Sequence, residues 1–97
     1  MISTQDCKIL VNSEENILID IREHYELDNC SVKNAKNIAM AEVVQHLDLI
    51  KSYTNVILMC HSGKRAAALG NYLHTEYKLN NILVLEGGIA AYLNLAD

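Results

Sequence analysis

The chain has 97 residues, 51% hydrophobic and 21% charged, with a formal net charge of −4. This is enough for one domain, residues 1–97, with its own core, and too apolar for a disordered chain. The acidic balance excludes a basic nucleic-acid-binding surface, the apolar runs are too short to cross a membrane, and the start MISTQDCKIL is no signal peptide, so a cytoplasmic protein is expected.

Ser3-Thr4-Gln5-Asp6 resembles a helix start, and Cys7, Leu10 and Val11 follow at helical spacing, which predicts a first helix over 4–12 with Cys7 on its inner face. NILIDI (16–21) reads as a strand covered on both faces. EHYELDN has room for one helical turn, with its charges solvated, and KNIAM (36–40) is a weaker strand. Val43, Val44, Leu47 and Ile50 predict a helix within AEVVQHLDLIKS, and NVILMC (55–60) is the clearest strand. Ala66, Leu69, Leu73 and Tyr77 mark an amphipathic helix. NILVL (81–85) is another strand, and Ile89, Tyr92, Leu93 and Ala96 give a last helical face after two glycines. Strands alternating with helices predict an α/β domain with a mostly parallel sheet and helices on both faces.

The three cysteines, Cys7, Cys30 and Cys60, are odd in number and form no CxxC pair; the four histidines lack ligand spacing. Reduced thiols are expected, with no disulfide framework and no metal site.

Chemistry concentrates where the apolar run NVILM ends in Cys60 and continues as His61-Ser62-Gly63-Lys64-Arg65. In α/β sheets, sites form beyond the carboxyl ends of strands. Gly63 permits a tight turn, and a helix starting near Arg65 would add free N–H groups and the positive end of its dipole, an anion cradle. Lys64 and Arg65 add positive charge. The same surroundings favour a thiolate at Cys60, a nucleophile able to attack a sulfur, phosphorus or arsenic centre. Cys7 reads as a core residue. Cys30 lies in a polar loop, from which it could resolve an oxidised Cys60, but nothing in the sequence places the two together.

Four segments resemble the rhodanese-like family: LIDIRE (18–23), CSVKNAKNIAM (30–40), CHSGKRAAALGNYL (60–73) and VLEGGIAAY (84–92). The second departs most from the family pattern, with Ser31 at a usual histidine, Lys33 at a proline, and Cys30 and Asn34 at glycines; Tyr92 replaces a tryptophan. The resemblance implies a five-stranded sheet, a catalytic Cys60, a substrate-binding loop of His61, Ser62, Gly63, Lys64 and Arg65, and a supporting role for Asp20 and Arg22. It also implies sulfur transfer from an anionic donor such as thiosulfate, or from a persulfide, through a Cys60 persulfide. The acceptor would be a thiol or a thioredoxin-like protein, and no cofactor or metal is called for. Four residues separate Cys60 from Arg65; related phosphatases use one more, so a phosphatase or arsenate reductase is the weaker reading. A non-catalytic binding module is the other alternative, against which the retained cysteine and cationic loop speak.

Overall fold

The computed structural model describes residues 1–28 and 30–94; the expected place of Ala96 on the last helix lies outside them. Four parallel strands, β1 (Asn16–Asp20), β2 (Lys36–Asn37), β3 (Asn55–Met59) and β4 (Ile82–Val84), form one sheet in the order β2-β1-β3-β4. Among the described residues the sheet has four strands rather than the expected five, with one isolated parallel bridge between Ile2 and Leu85 beyond β4. Ser3, the next residue, caps α1 (Thr4–Leu10), its hydroxyl accepting the Asp6 N–H.

The central strands β1 and β3 are buried on both faces, which explains their nearly continuous apolar runs. On one face Ile19, Val56 and Leu58 pack against Val43, Ile50 of α2 (Leu47–Lys51) and Ala66, Leu69 and Leu73 of α3 (Lys64–Tyr77). On the other, Leu18, Ile57 and Met59 meet Cys7 of α1, Leu85 and Ile89 of α4 (Gly88–Tyr92). The period-two alternation of the strands thus feeds two separate cores.

Three helical expectations change in detail. The segment 40–51 begins as a 3-10 helix, Met40–His46, before α2; no side chain caps its start at Ala39, and tighter turns take up the first residues. Tyr77 leaves the core stripe of α3 and packs edge-on against Tyr72, ring centroids 5.9 Å apart. Leu93, expected on the last helical face, is exposed beyond the end of α4.

Register positions the site. β1 and β3 pair from Asn16 opposite Asn55 through Asp20 opposite Met59. Both strands therefore end level, and the residues that follow them, Ile21-Arg22 and Cys60-His61, emerge side by side at the carboxyl edge of the sheet.

Candidate functional site

Cys60 follows β3 directly and is fully buried. Its Sγ accepts the backbone N–H of Gly63 at 3.1 Å and of Ala66 at 3.4 Å. The chain turns back around the sulfur because Gly63 adopts φ +99, a left-handed conformation that costs other residues strain, and α3 starts at the next residue. Among the described residues, the N–H groups of His61, Ser62, Lys64 and Arg65 donate to no protein acceptor. The loop is therefore a set of free amides around a thiol at the positive end of a 14-residue helix. His61, Ser62 and Lys64 are exposed, and Arg65 is half-buried.

The start of α4 closes the loop from behind. Ile89 N–H donates to the Cys60 carbonyl at 2.8 Å and Ala90 N–H to that of His61 at 3.1 Å. Gly88, at φ +60, lies against both carbonyl groups. Gly88 of VLEGGIAAY thus permits a close backbone approach, fixing the loop without entering it.

Asp20 and Arg22 form a buried pair, Nη2 to Oδ2 2.8 Å and Nε 3.1 Å from each carboxylate oxygen, with Arg22 N–H capping Oδ1 at 3.0 Å. The Asp20 contacts hold the Arg22 guanidinium protonated more firmly than usual. Arg22 spends its remaining donors on the carbonyls of Cys30 (2.8 Å) and Glu26 (3.3 Å), which tie down the connection between β1 and β2. Asn37 adds two bonds from its Nδ2, to the carbonyls of Asp20 and Arg22, both 2.9 Å.

That connection carries a residue the sequence did not single out. Glu26, read there as solvated surface, lies in the 3-10 turn His24–Asp28 and grips Arg65 from both oxygens: Nη1 to Oε2 2.9 Å, Nη2 to Oε1 3.0 Å. The two-point contact with Arg65 holds the Glu26 carboxyl down at about 2, well below its ordinary range. Glu26, and secondarily the nearby Cys60 sulfur, raise the basicity of Arg65 in turn. Both terminal nitrogens of the Arg65 guanidinium are therefore held by Glu26. The two partners are 39 positions apart; the one signal available was a cation at a helix start in need of a counter-charge.

The other cysteines separate by environment. Burial pushes the Cys7 thiol up to about 11. Cys30 Sγ lies 3.9 Å from Arg22 Nη1, at the edge of the apolar core on the face opposite Cys60. An apolar groove of about 590 Å³, lined by Met40, Ala41, Val44, Leu69 and Tyr72 with Glu23 at its edge, runs along the flank of α3; Cys60 is not part of its wall.

The model of the rhodanese-like domain family matches residues 3–95. The chain belongs to that family. Among rhodanese-like relatives, YtwF of Bacillus subtilis, a protein named as a sulfurtransferase, is 28% identical over 93 residues, covering 94% of this chain and 87% of YtwF. The adenylyltransferase and sulfurtransferase UBA4 of Vanderwaltozyma polyspora is 26% identical over 89% of this chain, which spans only 22% of that larger protein. A rhodanese-related protein from Thermoplasma volcanium superimposes with a TM-score of 0.79 at 27% identity, over 96% of this chain and 89% of its own. The thiosulfate sulfurtransferase of Pseudomonas aeruginosa shares the fold, with a TM-score of 0.82 at 14% identity, over 97% of this chain and 18% of that one. The sulfurtransferase names of the two sequence relatives agree with a rhodanese-like loop that presents a thiol among amides.

Proposed function

We propose that this rhodanese-like domain is a sulfurtransferase working through a Cys60 persulfide. The observation that carries the reading is the Cys60 sulfur bonded to the N–H groups of Gly63 and Ala66 inside a loop whose other amides are free. In the first step the Cys60 thiolate attacks the outer sulfur of thiosulfate or of a persulfide. The donor S–S bond breaks, its electron pair leaving with sulfite or with a thiolate, and a new S–S bond forms on Cys60. Amide donors and Lys64 stabilise charge that develops on the outer sulfur and the leaving group. An acceptor thiolate, free or on a thioredoxin-like protein, then attacks the outer sulfur and releases the Cys60 thiolate. The cycle is redox-neutral, and a reducing cytoplasmic setting suits its thiolate intermediates.

In these terms Cys60 is the nucleophile and residues His61 to Arg65 form the donor cradle. Asp20 and Arg22 are positioning residues that act through the connection they brace. The reduced protein, exposed to thiosulfate and separately to glutathione persulfide, is expected to gain one sulfur atom by intact mass, and Cys60→Ser to gain none. Failure of the wild type to gain sulfur from either donor overturns the reading. Hydrolysis of an aryl phosphate that depends on Cys60 would favour a phosphatase instead.

A further inference from the structure

Arg65 sits at the sixth position of the loop, yet each of its two terminal nitrogens already donates to a carboxylate. Both bond the Glu26 carboxylate, at 2.9 and 3.0 Å. The clamp is built rather than incidental. Glu26 Oε2 also accepts the Glu23 N–H at 2.8 Å, and the Glu26 carbonyl takes Arg22 Nη1 at 3.3 Å. The carboxylate that neutralises Arg65 is thus anchored, through Arg22, to the buried Asp20 pair.

The two donor classes ask different things of this charge. Thiosulfate is a dianion whose negative oxygens stand beside the transferred sulfur, and it departs as sulfite. A persulfide carries at most one charge at its sulfur pair and departs as a thiolate. Around Cys60 the side chains offer the opposing charges of Arg65 and Glu26, which cancel, and Lys64, which forms no ion pair among the described residues. One unbalanced cation matches the persulfide. Two would match the dianion.

We propose that Glu26 is a specificity-determining residue that turns the site from thiosulfate toward persulfide donors by holding the guanidinium of Arg65 in a two-point ion pair. The proposal rests on Cys60 as the sulfur-accepting nucleophile. Glu26 does not touch the donor; it acts through Arg65. Loading keeps the balance given above: the Cys60 thiolate attacks the terminal sulfur of R–S–SH, the donor S–S bond breaks, R–S⁻ leaves with the electron pair, and the transferred sulfur keeps its proton.

The test is single-turnover loading of Cys60, followed by rapid quench and intact mass, with thiosulfate and with glutathione persulfide as donors. Wild type is expected to load from the persulfide at least about tenfold faster than from thiosulfate at equal concentration. In E26Q, which keeps the shape and removes the charge, the ratio of thiosulfate to persulfide rate constants should rise about tenfold or more. The gain should come from tighter thiosulfate binding and should fade with added salt, as a freed surface cation requires. A purely structural role would slow both donors together and leave the ratio and the salt dependence unchanged, which overturns the proposal. So does a wild type that prefers thiosulfate, a result that needs no variant to fold. Absence of loading from either donor would instead remove the sulfurtransferase reading itself.

Discussion

Gly88 stands against the carbonyl group of Cys60 with no space for a side chain between them. The contact joins the loop after β3 to the first turn of α4, where Ile89 and Ala90 hand their N–H groups to Cys60 and His61. A methyl group at position 88 would meet backbone, which cannot swing aside, and φ +60 adds strain of its own. Gly88→Ala is expected to cost at least about 2 kcal/mol in urea unfolding. It should also lower the rate of sulfur loading more than Gly63→Ala does, since a Cβ at Gly63 would find its nearest neighbours at 3.4 Å and bear strain alone.

Arg22 is almost wholly buried and depends on Asp20 for its counter-charge. Asp20→Ala leaves that guanidinium unpaired in the interior and should destabilise the fold by about 3–5 kcal/mol. The double replacement Asp20→Leu with Arg22→Met removes both charges and should cost less than the single Asp20 change. Equilibrium denaturation of the three proteins measures the difference, and a double variant as unstable as the sum of its parts would contradict it.

The Glu26–Arg65 pair makes stability depend on acid in a defined window. The folded carboxyl titrates near 2, below its ordinary 4.5, so the folded state holds its charge where the unfolded chain takes up a proton. The stabilisation is therefore complete above about pH 4.5 and disappears as pH falls through about 2. The Arg65 side chain is 40% exposed, so the pair is worth at most about 1 kcal/mol. E26Q should be less stable than wild type by up to that amount at pH 7, with the gap closing by about pH 2.

Cys7 gives the opposite sign at the other end of the scale. Its thiol is raised to about 11 by burial, from an ordinary 9.0. Unfolded chains release this proton first, so the stability due to the neutral thiol is full below about pH 9 and is lost as pH rises toward 11. In the native protein at pH 8, iodoacetamide should leave Cys7 unmodified, and unfolding in urea should expose it. Peptide mapping after labelling reads both states, and modification of Cys7 in the native protein would count against this burial.

The sequence made legible whatever depended on neighbours in the chain. NVILM and NILID became β3 and β1 because both faces of these strands are covered, and Ala66, Leu69 and Leu73 fell on the inner side of α3 as their spacing required. The loop of six residues from Cys60 to Arg65, with Gly63 at its pivot, also follows from local rules. What escaped was long-range. Glu26 looked like any surface acid until the fold brought Arg65 to it from 39 positions away. The sheet likewise has four strands among the described residues where the family resemblance implied five, a difference that periodicity does not weigh.

The complete burial of Cys60 has a consequence of shape rather than charge. On the proposed persulfide cycle, a sulfur with no exposed surface, held by the Gly63 and Ala66 amides, is reached most readily by the smallest group, a terminal atom. The outer sulfur of a persulfide is such an end; a sulfur in a mixed disulfide, flanked by carbon on one side and sulfur on the other, is not. In that cycle a persulfide would place the transferred sulfur about 2 Å beyond the Cys60 sulfur, within reach of a bulkier acceptor.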